Sequence, residues 1–354
     1  MRPSDLVFLK DLTEAPSPSG FEQPAAKVFR GFVTPIADEV ETNVMGSVHA
    51  RLKGKSKGVS VMLAGHIDEI GMMVQWITPE GFITFKPIGG VDAAILPGMR
   101  VDVHTKTGAL RGVMGRLPIH LIEEDQRKSV TKMEKLFVDL GLPAERVKAL
   151  VRVGDPITYG VGFETFGDGM AVSRAFDDKM GAYICARVLQ EVKKAGGAKG
   201  DLVAAATVQE EIGMRGGHTS GYGVDPVVGI ALEVGHATDY PDVEKRTHGE
   251  ASCGGGPIIA RGANINPVLF DLLVAAAVKA KVSYQIGAEP RGTGTDANAI
   301  QLARGGKAAA LVSVPLRYMH TPTEVLKLSD IEDCVKLLTR FVLDLKPGVD
   351  FTPA

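Results

Sequence analysis

Residues 201–217 read DLVAAATVQEEIGMRGG. The apolar run that starts at Leu202 is too short for a buried helix and is bounded by polar residues, so it reads as a buried strand. At its end stand two adjacent acids, Glu210 and Glu211, followed by Gly213, Gly216 and Gly217. Neighbouring carboxylates repel one another, and a turn that needed only solubility could use one acid and one amide. Keeping both points to positive charge held beside them.

Three other runs have the same form: VSVMLAGH (59–66), DPVVGIALEV (225–234) and KAAALVSV (307–314). Between and after them, amphipathic patterns predict helices over 177–194, 265–280, 295–304 and 329–345, the last capped by Ser329. A further helix is predicted over 22–33, and VSYQIG reads as a strand. Alternating strands and helices give an α/β fold, a largely parallel sheet covered on both faces. Residues 69–166 follow a different pattern. MMVQWI and GFITFK flank the turn TPEG as a hairpin, and 100–115 reads as a second strand pair. One helix is predicted there, TKMEKLFVDLG (131–141). The expected organisation is a catalytic α/β domain, 1–68 plus 167–354, interrupted by a β-rich domain, 69–166.

Composition narrows the classes. A chain of 354 residues favours one large and one smaller domain. A formal net charge of −2 gives no bulk attraction to nucleic acid or to an anionic membrane. Cys185, Cys253 and Cys334 are an odd, sparse set without a CxxC pair, which argues against a disulfide framework and a thiolate zinc site. The apolar run before Lys10 is too short for a signal peptide, and no run approaches the ~18 apolar residues of a membrane span. A cytoplasmic protein is expected.

Open parallel sheets bind ligands beyond the carboxyl ends of their strands. The residues in those places are His66 and Asp68, Glu210 and Glu211, Glu233, and His320, with Asp177 and Asp178 opening a helix. One such residue is more often a turn or cap residue. Five positions ending successive elements point to a metal site. Histidine with carboxylates suits zinc, cobalt or manganese, and the set is large enough for two ions about 3.5–4 Å apart sharing a carboxylate. The opening pair then has a use: one glutamate binds metal and the other takes a proton from the attacking water.

AGHIDEIGMM, SRAFDDKMG, QEEIGMRGG, ALEVG, GTGTDANAIQLAR and RYMHTPTEV, spread from about residue 64 to 324, together resemble the tetrahedral (TET) aminopeptidase family of dinuclear metallopeptidases, some of whose members carry an endoglucanase label. The resemblance implies a zinc-peptidase-like α/β domain with an inserted small β-barrel or PDZ-like domain serving as lid or dimerisation module. It implies that His66 and Glu233 bind one metal and Glu211 and His320 the second, with Asp177 bridging. Asp68 orients His66, and Glu210 is the general base. It further implies two divalent ions per subunit, zinc or cobalt first and manganese third, peptide substrates, and self-association as dimers or tetrahedral dodecamers. Two departures stand out. Glu233 replaces the family's usual aspartate, adding a methylene, and HGEASCGGGPII (248–259) matches the glycine-rich segment loosely. Outside this set, His236 is expected in a loop, and His49, His104, His218 and His248 on the surface or in turns. His120 belongs to a segment shared with the family, Asp296 is expected to cap a helix, and Met72, Met73 and Trp76 to pack in the inserted domain. Rival functions are an amidohydrolase (deacylase) acting on small N-acyl substrates, a metal-free glycosidase, and a silent scaffold.

Overall fold

The computed structural model describes residues 1–353, apart from the side chains at 125 and 126. In chain order its strands are β1 (Glu39–Thr42), β2 (Val48–Leu52), β3 (Val61–His66), β4 (Gly71–Ile77), β5 (Ile83–Ile88), β6 (Arg100–Thr105), β7 (Gly108–Gly115), β8 (Phe137–Asp139), β9 (Pro156–Tyr159), β10 (Glu164–Phe166), β11 (Met170–Ser173), β12 (Leu202–Thr207), β13 (Val228–His236), β14 (Ile258–Gly262), β15 (Gln285–Glu289), β16 (Ala308–Leu316) and β17 (Glu324–Lys327). Eight of them form one mixed sheet in the order β1-β2-β12-β3-β13-β16-β14-β15. Its four central strands run parallel, while β2 and β14 pair antiparallel with their inner neighbours.

The central strands are buried on both faces, which is why they read as continuous apolar runs. Successive side chains point to opposite faces. Val61 and Leu63 join the main core with Phe176, Met180 and Tyr183 of the long helix Phe176–Lys194. Met62 and Ala64 meet Ile300 on the opposite side. Gly65 lies so close to the main chain of Gly181 and Ala182 that a Cβ there would collide with it. The strand that delivers His66 is thereby seated directly on the helix that delivers Asp177. Among the described residues, no helix is long and apolar enough to cross a membrane.

A closed barrel, β4-β5-β8-β7-β6-β9, surrounds its own core of Met72, Val74, Ile83, Phe85, Val101, Val138 and Ile157. The helix expected over 131–141 is absent. A single 3-10 turn at Met133–Lys135 leads into β8, whose Val138 fills the barrel interior. Trp76 does not pack inside either, being 53% exposed, whereas Met72 is fully buried. The last helix begins at Leu328, and Ser329 makes no capping bond. His49 is buried between Ser220 and Glu41.

Candidate active site and metal centre

The ladder between β3 and β13 ends at Ala64 and Ala231, two residues before His66 and Glu233. The strand order reverses at this point: β12 lies on one side of β3, and β13 and β16 on the other. Such a reversal opens a crevice at the strand ends. All seven residues expected to form the site converge on it. His66 ends β3, Glu233 lies within β13, and Asp177 opens the helix Phe176–Lys194. Glu210 and Glu211 follow β12, Asp68 follows β3, and His320 follows β16.

The distances divide the set into two halves that share one carboxylate. His66 Nε2 lies 3.2 Å from Asp177 Oδ1 and 3.7 Å from Glu233 Oε2. His320 Nε2 lies 3.3 Å from Asp177 Oδ2 and 3.3 Å from Glu211 Oε1. Glu210 Oε2 is 3.8 Å from His66 Nε2 and is slightly exposed. Ligand atoms of His66, Asp177 and Glu211 fall within 4.8 Å of one another, as do those of His66, Asp178 and Glu233. Asp178, however, turns its oxygens to main-chain N–H groups: Oδ2 accepts from His66 and Oδ1 from Gly181, each at 3.1 Å.

Both rings are oriented through Nδ1. That of His66 faces the main-chain oxygen of Asp68 at 3.1 Å, with the Asp68 carboxylate at 3.4 Å. That of His320 faces the main-chain oxygen of Gly90, in the segment after β5, at 3.2 Å. A proton held on Nδ1 leaves Nε2 of a neutral ring free to bind metal. The Asp68 carboxylate has closer partners than the ring. It accepts the Ser19 hydroxyl at 2.6 Å and the main-chain N–H groups of Glu210 and Glu211 at 2.9 and 3.1 Å. Asp68→Asn replaces one acceptor with an NH2 group facing these donors. The expected result is a 10–100-fold loss of turnover, with metal content retained, measured by steady-state kinetics beside metal analysis.

Electrostatically the cluster draws positive charge. Burial, reinforced by Asp178, Glu210 and Asp177, pushes the Glu233 carboxyl well up. Burial likewise raises Glu210 to about 8. Asp177 is also buried, but the two imidazoles hold it well below the usual carboxylate range. The same partners, Asp177 and Glu211, raise His320 to about 11. Glu233 Oε1 is buried with no hydrogen-bond partner. Nearby cations do not relieve this excess, since Arg174 and Lys179 pair with Glu69. Divalent cations fit such a donor set, because they would supply the missing charge and give the unpartnered oxygen a partner.

A cavity of about 1050 Å³ opens above the cluster, walled on other sides by Met214, Ala260, Ile286, Ala288 and Met319. His236 lines it from the exposed end of β13. His120 sits on an exposed 3-10 turn next to the barrel. Asp296 does not cap its helix; it is buried and accepts the Thr207 hydroxyl at 2.5 Å. The sequence reading places Asp178 at the site only as a helix opener, and it misses Ser19 and Glu324 as parts of the site. Glu324 lies four residues after His320 and opens an apolar strand, which is the one available signal. Ser19 has none.

The model of the M42 glutamyl aminopeptidase family matches residues 46–337. The lysyl aminopeptidase of Pyrococcus furiosus is 33% identical over 354 residues, covering 99% of each chain. A solved TET aminopeptidase from a marine-sediment Thaumarchaeota archaeon superposes with a TM-score of 0.91 at 32% identity, covering 97% of each chain. The TET1 peptidase of Pyrococcus horikoshii, which can assemble into a tetrahedron or a large octahedral shell, gives a TM-score of 0.85 at 28% identity, covering 96% of this chain and 100% of that one. Family match, full-length similarity and shared architecture agree: the chain belongs to the M42 glutamyl aminopeptidase family.

Proposed function

We propose that this chain is a dinuclear metal-dependent aminopeptidase that removes N-terminal residues from peptides. The observation that carries the reading is the pair of half-sites sharing Asp177, whose two oxygens face two different imidazoles. His66, Glu233 and Asp177 would hold one ion, and His320, Glu211 and Asp177 the other. Zinc or cobalt suits these ligands best, with manganese also accepted. Bound there, the ions would supply Lewis acidity for the substrate carbonyl and a water more acidic than bulk water.

The protein's own residues do the rest. Glu210, at the rim of the cavity, takes the proton of the attacking water and returns it to the departing amine. Asp68 fixes the main chain beneath Glu210 and Glu211, so that base and ligand keep their spacing. The longer side chain of Glu233 still brings Oε2 beside His66. The segment 69–166 acts as a separate lid or dimerisation domain, and its Gly90 steadies His320. Cytoplasmic dimers, building larger shells as the horikoshii TET1 peptidase does, suit this family. A panel of aminoacyl p-nitroanilides beside N-acyl amino acids tests the class. Cleavage of substrates with a free N-terminus is expected; turnover of acylated substrates alone would make the protein a deacylase.

A further inference from the structure

The candidate ligands and base are held from behind by a second set of buried acids that accept their main-chain N–H groups. Asp68 takes the N–H groups of Glu210 and Glu211, and Asp178 that of His66. Glu324 completes the pattern. Its Oε2 accepts the Asp177 N–H at 3.1 Å and its Oε1 accepts the His320 N–H at 3.0 Å. One carboxylate, 2% exposed at the start of β17, therefore ties together the two residues that face each other across the second half-site.

Both of those residues need holding. His320 has a φ of 60°, in the left-handed region that a side chain disfavours. Asp177 opens its helix with φ −76° and ψ 104°, outside helical geometry. They come from elements far apart in sequence, so no local hydrogen bond could set their separation. From this we infer that Glu324 is a positioning residue for the second metal ion, fixing the distance between Asp177 and His320 without touching metal or substrate.

The inference rests on the dinuclear reading, and the test separates the two. Metal-free wild-type protein, Glu324→Gln and Glu324→Asp are titrated calorimetrically with cobalt(II), and the absorption spectrum is recorded as each equivalent is added. Glutamine keeps the shape but turns an NH2 group toward one of the two donors. Aspartate keeps the charge but is too short to span both. Wild-type protein is expected to take two equivalents. In both variants the second equivalent should weaken 10–100-fold, the range for supporting residues behind metal ligands, and its spectrum should change. The first equivalent should weaken less than tenfold, and the metal-free Tm should stay within a few degrees of wild type. Two equivalents bound as in wild type by either variant, or equal loss of both equivalents together with the fold, would overturn the positioning role. Fewer than two equivalents in wild-type protein would overturn the dinuclear reading, and this inference with it.

Discussion

Glu210→Gln is expected to retain two metal ions per chain and to lose about 10²–10⁴-fold in kcat, the contribution of a positioned general base. The reason lies in the division of labour between adjacent acids. Glu211 is turned toward His320 and Asp177, inside the second half-site. Glu210 lines the cavity, and its Oε2 stands 3.8 Å from His66 Nε2. Glutamine preserves volume and backbone, and the clamp by Asp68 acts through the main-chain N–H, which the substitution leaves in place. KM should therefore change little. Metal analysis with steady-state kinetics checks this; wild-type turnover by the metal-loaded variant would remove Glu210 from its role.

Asp177→Asn should have the larger effect on metal binding. The carboxylate presents one oxygen to each half-site. The amide has a single acceptor oxygen and a donor group in place of the other. One half-site then loses a ligand and gains an N–H2 group aimed at the cation. The chain should bind one ion tightly instead of two. Activity should fall by about 10³-fold or more, because losing several kcal/mol of transition-state stabilisation costs a factor of ten for each 1.36 kcal/mol. Asp178→Asn is the informative partner. Its oxygens serve the main chain of His66 and Gly181, so it should keep both ions while binding the first more weakly. Two tightly held ions in Asp177→Asn would contradict the bridging role.

Much of the architecture is legible in the sequence, because buried parallel strands carry an unbroken apolar signal and the polar residues that end them stand out. His66, Glu210, Glu211, Glu233 and His320 are visible for this reason. The barrel is less legible. KMEKLF has helical spacing, yet its last residue starts a three-residue strand whose burial depends on strands distant in sequence. The supporting layer is less legible still. Nothing in the residue types at Ala175, Gln209 and Tyr318 signals a positive φ, yet these three and His320 adopt one at or within two residues of an expected ligand or base. Such conformations cost of order 1–3 kcal/mol each and are imposed by tertiary contacts like those of Asp68 and Glu324. The same holds for Ser19, which meets Asp68 only because the chain folds back over 49 residues.

The most direct test of the central claim is to strip the protein with EDTA, remove the chelator, and titrate zinc or cobalt back while following heat of binding and cleavage of an aminoacyl p-nitroanilide in parallel. Two equivalents bound per chain, with activity absent before addition and restored as they fill, is the predicted result. Undiminished peptidase activity in folded protein shown to be metal-free, or no uptake of either ion, would contradict it.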